Sequence, residues 1–347
     1  MIIWLAMAIP FGTWAILYLK YRRHMMWWEF LIPLAASALL IGISKYCTEA
    51  TQIHDTEWWG GWVVNAQYDE RWDEEVPCTH AKYRTEPDGK GGTREVFDGY
   101  EHTYDVDDHP AEWRAFDSNG IRLGIGQDIF KRLVHQFGNR QFIDMNRDYH
   151  SQDGDRYETI WPHTEDSLEP VTTVHRWTNR IQGSDSVFNY RKVNPKTYNL
   201  FNYPKVSGYT CQGILGDGGP TQRAAERQIQ LLNALLGASK KVRVWILVFK
   251  DKSSQASVEQ ECYWKGGNKN EFIVTIGVDR AYNVKWARSI SWTSASSLKT
   301  DAKVFVQSQQ KLDLVALVRW LKPQIQDRYV HNSFKQFDYL TVDPPMW

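Results

Sequence analysis

The sequence lacks the features by which most enzymes and nucleic-acid-binding proteins are recognised. Its 41 basic and 41 acidic residues leave no formal net charge, and no long basic stripe follows a short cluster at residues 20–24. Because nucleic acids attract proteins through positive charge, a nucleic-acid partner is not expected. The chain also has no G-x-S-x-G, H-E-x-x-H, C-x-x-C or Walker lysine motif, and no internal repeat. No motif therefore indicates a known reaction.

Two apolar runs near the start of the chain predict a location. They extend from Ile2 to Leu19 and from Met25 to Ile43, and each approaches the about 20 residues that a helix needs to cross a membrane. The basic turn at residues 20–24 lies between them, and positively charged loops remain cytoplasmic. We therefore expect residues 1–46 to form a two-helix transmembrane anchor in an inner or plasma membrane, with the C-terminal region outside the cytoplasm and the lipid bilayer as a partner. The alternatives are a soluble helical core or a cleaved signal peptide.

The rest of the chain divides into two regions at a glycine-rich stretch, residues 209–220. Residues 47–208 contain short runs of β-branched and aromatic residues separated by turn formers, which predicts a strand-rich domain. A helix over Ile129–Phe137, capped by Asp128, would interrupt it. Residues 209–347 alternate helical and strand periodicities, which predicts a mixed-sheet α/β domain. The expected fold is thus an N-terminal transmembrane helical hairpin followed by an α+β soluble region.

The second region has the clearer pattern. The spacing predicts a helix over Thr221–Leu236 that ends before Gly237, because glycine commonly follows the last residue of a helix. Since Val242–Phe249 is apolar on both alternating faces apart from Arg243, it is expected to be a central strand covered on two sides. The remaining predicted elements are a helix over Ser254–Tyr263, strands over Glu271–Val278 and Val284–Trp292, and a closing helix over Leu312–Tyr329.

One cysteine and three histidines form the best candidate for a metal site. The turn at residues 87–92 lies midway between Cys78 and His102, so a hairpin would bring these two residues side by side at its base. With His80 and His109 they could supply one thiolate and three imidazoles to a tetrahedral zinc ion. Four protein ligands close the coordination shell, so the predicted zinc site is structural. The alternative is that Cys78 is a small buried residue and the histidines are surface groups.

Three other features allow two interpretations each. Residues 148–155, near Glu158 and His163, carry enough carboxylates for calcium but lack the EF-hand spacing, and an Asp-Gly-Asp run is more typical of a turn. Residues 260–271 could cradle an anion, but phosphate loops lead from a strand into a helix, whereas this segment leads from a helix into a strand. Cys211 and Cys262 could form a disulfide in an oxidising compartment.

Six phrases are distributed along nearly the whole chain. They are T-E-W-W-G-G-W-V-V from Thr56, R-W-D-E-E-V-P-C from Arg71, D-H-P-A-E-W from Asp108, D-G-D-R-Y-E from Asp153, Q-E-C-Y-W-K-G-G-N-K-N-E from Gln260 and F-K-Q-F-D-Y-L from Phe334. Together they resemble a group of uncharacterised membrane-anchored proteins of bacteria and tailed phages. In that group the position of His102 tends to be a cysteine within a C-S-Y phrase. Because zinc ligation is one of the few roles that Cys and His share, the resemblance favours the zinc interpretation.

The second region is also similar, in the order of its helices and strands, to the TPM-type domain, a membrane-associated α/β module. Some members of that family are phosphatases. The similarity implies a metal-dependent hydrolase of phosphate esters with its site near Asp217 or Asp279, although both residues are equally compatible with turns.

The sequence therefore predicts one of two functions. The favoured function is that of a membrane-anchored, non-enzymatic structural or protein-interaction protein, zinc-stabilised and phage-associated. Its partner would be an unidentified protein or a second copy of the chain. The alternative is the metal-dependent phosphate-ester hydrolase.

Overall fold

Two β-sheets and one helix that contacts both of them organise the chain. The computed structural model describes residues 2–21, 26–138, 140–147, 149–162, 164, 167–184, 190–206, 208–209, 212–340 and 342. Its helices are α1 (Ile2–Tyr21), α2 (Leu31–Gln52), α3 (Gln127–Phe137), α4 (Arg180–Gly183), α5 (Pro195–Tyr198), α6 (Gln222–Lys240), α7 (Gln255–Tyr263), α8 (Ser296–Ser308) and α9 (Leu314–Arg328). Short 3₁₀ turns lie at Trp27–Phe30 and Lys335–Phe337.

The strands fall into two sheets and two ribbons. In chain order they are β1 (His54–Asp69), β2 (Trp72–Pro77), β3 (Ala81–Pro87), β4 (Thr93–Tyr100), β5 (Tyr104–His109), β6 (Glu112–Asp117), β7 (Arg122–Gly124), β8 (Arg140–Ile143), β9 (Arg156–Ile160), β10 (Pro170–Thr178), β11 (Ile214–Gly216), β12 (Arg243–Lys250), β13 (Glu271–Val278) and β14 (Val284–Ser291).

The first sheet is built on β1, which is long enough to pair with different strands along its length. Its first half pairs antiparallel with β10, and its second half lies between β6 and β9 in the order β7-β6-β1-β9-β8. Helix α3 covers this second half, where Val63, Ala66, Phe130 and Leu133 are buried together. The amphipathic helix α3 therefore packs on β1 through an apolar core.

The second sheet is mixed, in the order β11-β12-β13-β14. The first three strands are parallel and β14 is antiparallel. Alternate side chains of β12 enter two separate cores: Val244, Ile246 and Val248 face α6, α8 and α9, whereas Trp245 and Leu247 face the side of α7. The strand is thus covered on both faces, as its continuous apolar run predicts.

Helix α6 contacts both sheets. Its Asn233 side chain bonds the backbone of Val244 in both directions, at 2.7 Å from the Val244 N–H and 3.1 Å to its carbonyl. One turn later on the same face of α6, Gly237 lies against Gly60 of β1 at backbone distance, and the Asn233 carbonyl borders Gly60 as well. These contacts fix the position of β1 relative to the mixed sheet.

Two antiparallel ribbons leave the first sheet between β1 and β6. One ribbon pairs β2 with β5, and the other pairs β3 with β4. We call residues 72–109 the arm. A two-stranded ribbon has little core of its own, so an arm of two ribbons needs another source of stability.

The prediction of a transmembrane hairpin is wrong, and so is the predicted integral-membrane localisation. Within the described ranges, no helix combines the length and the apolar character that crossing a membrane requires. A hairpin needs two such helices, and the apolar part of α2 runs only from Leu31 to Ile43 before Lys45 and Glu49 follow. Those thirteen residues extend about 20 Å as a helix, against roughly 30 Å of hydrocarbon. The predicted basic turn falls partly on residues 22–25, which lie outside the described residues.

Candidate metal centre

The candidate centre lies where the two ribbons of the arm meet. The first ribbon ends with the pair Pro77 and Tyr104, and the second begins with the pair Ala81 and Tyr100. Between these pairs, residues 78–80 and 101–103 leave the regular ladder. Two backbone bonds still join the segments, from the Cys78 N–H to the Thr103 carbonyl at 3.5 Å and from the Glu101 N–H to the His80 carbonyl at 3.0 Å. The interruption turns several side chains towards one another.

Four potential metal ligands meet at this interruption. They are Cys78, His80, His102 and Asp105, and one donor atom from each lies within 4.8 Å of all the others. The Cys78 Sγ is 3.6 Å from the His80 Nδ1, and that nitrogen is 3.2 Å from the Asp105 Oδ1. The His102 Nε2 is 2.5 Å from the same carboxylate oxygen. Two ligands come from each of the two chain segments.

The spacing of these atoms fits a tetrahedral ion bound by sulfur, nitrogen and oxygen. With metal–sulfur and metal–nitrogen bonds of about 2.3 and 2.0 Å, tetrahedral angles separate a sulfur and a nitrogen ligand by about 3.5 Å, and a nitrogen and an oxygen ligand by about 3.3 Å. The observed separations at Cys78, His80 and Asp105 are 3.6 and 3.2 Å. The 2.5 Å contact between His102 and Asp105 would have to lengthen.

The surroundings orient the ligands. Cys78 is buried, and the His80 N–H points to its sulfur at 3.4 Å. The Thr79 N–H donates to the second carboxylate oxygen of Asp105 at 3.3 Å. The hydrogen bond from His102 lowers the pKa of Asp105, so this carboxylate is ionised and available as a ligand over the whole neutral range. Both imidazoles are exposed, which leaves a path for an ion to enter.

The same residues do not form a nucleophilic triad. In such a triad the histidine contacts the nucleophile with one ring nitrogen and the carboxylate with the other. Here the Nδ1 atom of His80 makes both the 3.6 Å contact with Cys78 and the 3.2 Å contact with Asp105. The ring therefore cannot accept a proton from the thiol while it donates one to the carboxylate. The arrangement suits ion binding better than nucleophilic catalysis.

His109 lies apart from this cluster, although the sequence predicts it as the fourth ligand. Its ring stacks on Trp72 with centroids 4.0 Å apart, and its Nε2 is 3.3 Å from a Glu74 carboxylate oxygen. Asp105 takes the fourth position instead. The sequence contains a signal for it, since the spacing His102-x-x-Asp105 places the carboxylate just after the interruption, but only the register of the ribbons reveals that the two side chains meet.

Comparison of the chain with protein-family models, with curated proteins and with solved structures gives no match. The resemblance to membrane-anchored proteins of bacteria and phages, and the similarity to the TPM-type domain, therefore stay predictions.

The predicted calcium cluster is only partly described. Asp144, Asp153 and Asp155 come close enough to share an ion, but they lie at the protein surface, where acidic groups commonly meet without one. Glu158 accepts bonds from the amides of Asn65 and Gln67. Asp148 and His163 lie outside the described residues, and so does Cys211 of the predicted disulfide.

Residues 260–271 form a turn and an internal anchor. Lys265, Gly266 and Gly267 have positive φ angles, which reverse the chain after α7. Beyond the turn, the buried carboxylate of Glu271 accepts from the Trp245 indole N–H and the Asn268 N–H, each at 2.8 Å, and from the Tyr203 hydroxyl. This segment therefore stabilises the sheet.

The two acidic residues of the predicted hydrolase site are engaged in local contacts. Asp217 binds the Lys250 ammonium at 2.8 Å and accepts from the Tyr282 hydroxyl at 2.9 Å. Asp279 accepts from the backbone of Ala281 and Asn283, which is a side-chain-stabilised turn at the β13–β14 connection. The hydrolase interpretation stays a prediction.

Proposed function

We propose that this chain is a non-enzymatic protein-interaction protein, and that one zinc ion bound by Cys78, His80, His102 and Asp105 stabilises its arm. The observation that carries the proposal is the convergence of these four ligands at the only interruption between the two ribbons of the arm. A soft thiolate, two imidazoles and a carboxylate form a ligand set that suits zinc. Because four protein groups complete the shell, the ion's role would be structural.

The arm needs such an ion because it has little core. Cys78 is buried, whereas the other described side chains of the arm are exposed or half-buried. A metal ion that bridges residues 78–80 and 102–105 contributes folding free energy directly, since its ligands are brought together only in the folded state. The ion would fix the β3–β4 ribbon on the β2–β5 ribbon.

The outer ribbon presents an aromatic face to a partner. Tyr83, Phe97 and Tyr100 are 58%, 52% and 57% exposed, and they contact one another edge to face. Aromatic side chains contribute most of the energy at many protein interfaces. The ribbon carries four basic and four acidic side chains between residues 81 and 100. Its neutral charge favours apolar over electrostatic recognition.

Elemental analysis tests the metal proposal. We expect about one zinc per chain in the full-length protein and almost none in a Cys78→Ser, His102→Ala double variant. The matched control is His109→Ala, which removes a neighbouring histidine outside the cluster and should retain the zinc. Absence of metal from the unmodified protein grown with zinc, or retention of it by the double variant, contradicts the proposal.

Site-specific photocrosslinking tests the interaction proposal. A photoreactive amino acid at Thr85 lies on the face that carries Tyr83 and Phe97, whereas the same group at Arg84 lies on the opposite face of the strand. We expect one discrete crosslinked species from position 85, lost in a Phe97→Ser background, and none from position 84. Equal crosslinking from both positions would contradict a partner at the aromatic face.

A further inference from the structure

A cavity lies between the start of β1, the turn after α7 and the C-terminal segment. Its volume is about 350 Å³, which is within the range of small-molecule sites. Aromatic rings form much of its wall: Trp58, Tyr190, Tyr203, Trp264, Trp292 and Phe334. The cavity uses none of the metal ligands.

Three of these rings have their polar atoms engaged in hydrogen bonds within the protein. The Trp264 indole N–H donates to the Phe201 carbonyl at 2.7 Å, and the Trp292 indole N–H donates to the Gly267 carbonyl at 3.2 Å. The Tyr203 hydroxyl donates to Glu271. What these rings can still offer a ligand is therefore their π surface, which attracts cations.

The rings also hold one another in place. Trp58 stacks on Tyr203 with centroids 5.1 Å apart, and Tyr203 contacts Trp264 at 4.8 Å. Across the cavity, Trp292 and Phe334 meet edge to face at 5.1 Å. The wall is preorganised, so a ligand would lose little affinity to ordering these side chains.

One carboxylate lines this cavity without a cation in direct contact within the described ranges. The half-buried Asp55 accepts from the Thr56 N–H and from the Asn179 side-chain amide, both at 2.8 Å, and both donors are neutral. Within the described ranges it makes no ion pair. Lys265 also lines the cavity, but it is exposed at the rim and does not pair with Asp55. The Lys269 ammonium acts on Asp55 through its charge, but its direct partner is Glu57 at 3.7 Å, so Asp55 keeps no cation in contact.

We propose that this cavity binds an organic ammonium group, with Asp55 supplying the counter-charge and the rings of Trp58, Trp264 and Trp292 supplying the π faces. A methylated ammonium fits best, because it is weakly hydrated and its methyl groups can contact the rings. The Asp55 carboxylate distinguishes this site from an apolar cavity, where a positive charge on the ligand would weaken its binding. A neutral sugar could also stack on the rings, but it would not need an unpaired carboxylate.

Calorimetric titration of the full chain with choline tests the proposal. The control ligand is dimethylbutanol, the uncharged isostere of choline, titrated at the same ionic strength. We expect saturable choline binding that is at least about tenfold tighter than binding of the alcohol, which corresponds to about 1.4 kcal/mol. Equal affinity for the two ligands, or no heat with choline, overturns the proposal.

Variants assign the charge recognition to Asp55. Asp55→Asn keeps the size of the side chain and should raise the choline Kd about tenfold. The matched control is Asp88→Asn, which alters a carboxylate that also accepts neutral backbone donors but lies in the β3–β4 turn. An unchanged Kd in a folded Asp55→Asn variant would contradict the assignment. If that variant fails to fold, the comparison of choline with its isostere on the unmodified chain decides alone.

Discussion

Gly60 of β1 and Gly237 of α6 touch through their backbones. A Cβ atom added to Gly237 would lie 2.6 Å from the Gly60 Cα and would overlap the Gly60 nitrogen, and one added to Gly60 would lie 2.5 Å from the carbonyl carbon of Asn233. Neither neighbour is a flexible side chain that could move aside. The pair therefore sets how closely the first sheet approaches the helix of the second.

Replacement of this helical glycine should destabilise the protein although alanine favours helices. Gly237→Ala gains about 1 kcal/mol of helix propensity but introduces a backbone overlap, and overpacking costs typically 1–3 kcal/mol or more. We expect a net loss of stability, measured as a lower urea midpoint. Gly42→Ala is the control, because this helical glycine has open space around its Cβ position, and it should cause no loss. A Gly237→Ala variant as stable as the control would show that the two backbones can separate.

Asp69 should contribute pH-dependent stability because it binds three arginines. Burial raises its pKa, but bonds and charges from Arg156, Arg114 and Arg147 outweigh burial, and the pKa is lowered. A lowered carboxyl pKa stabilises the fold above the unfolded value of about 3.9, and this stability is lost as the pH falls through the folded value. We expect Asp69→Asn to cost about 3 kcal/mol at pH 7, because it removes the carboxylate that three guanidinium groups share, and less at pH 3, which lies below the unfolded pKa.

Denaturation at the two pH values provides the measurement. The control is Asp98→Asn, whose carboxylate forms an exposed pair with Arg84 at 3.6 Å and should contribute less than about 1 kcal/mol at either pH. A loss at Asp69 that is the same at both pH values would argue against an ionised carboxylate as its cause.

Removal of the Tyr203 hydroxyl should destabilise the fold, because the buried Glu271 carboxylate loses one of its hydrogen-bond donors. Burial raises the pKa of Glu271, and the bond from Tyr203 opposes that rise. A raised carboxyl pKa costs stability as the pH increases above the unfolded value, so Tyr203→Phe should destabilise more at pH 8 than at pH 5. We expect about 2 kcal/mol at pH 8. Tyr263→Phe removes an exposed hydroxyl bonded to Asn202 and should change the unfolding free energy by less than about 0.5 kcal/mol.

Chelation should loosen the arm and leave the mixed sheet intact. If a metal ion joins residues 78–80 to residues 102–105, a zinc chelator should accelerate amide exchange in β3 and β4 at least about tenfold. Exchange in β12 and β13 should not change, because those strands lie in an apolar core with no part in the metal site. In the Cys78→Ser, His102→Ala variant, the amides of β3 and β4 should already exchange fast, and the chelator should not change their rate. Equal protection of β3 and β4 with and without chelator in the unmodified chain would contradict a structural role for the metal ion.

Local patterns predicted the mixed sheet well. The predicted strand over Glu271–Val278 coincides with β13, and the apolar run at Val242–Phe249 is β12 to within one residue at each end. These strands are buried on both faces, so their sequence carries a strong continuous signal. By contrast, α8 was not predicted; only Leu298, Ala302 and Val306 of it are buried, which is a narrow apolar stripe on a polar helix.

Two residues show how tertiary contacts changed the meaning of a local pattern. Gly237 was expected to follow the end of a helix, yet α6 continues to Lys240 and ends in the left-handed Lys241, because this glycine serves the approach of β1. Asp128 was expected to cap α3, but it lies inside the first turn and Gly126 occupies the cap position. Sequence spacing cannot distinguish a terminating glycine from one that admits a neighbouring strand.

The sequence by itself indicated three of the four residues of the candidate metal centre, since Cys78, His80 and His102 lie on either side of a recognisable turn. It also determined the central strands, because burial on both faces leaves a continuous apolar run. Only the tertiary structure decided that Asp105 completes the cluster while His109 stacks on Trp72, because the register of the two ribbons sets which side chains meet. It alone brought Asp55 to the aromatic wall, since residues far apart in the chain share a cavity only after β1, the turn after α7 and the C-terminal segment have packed together.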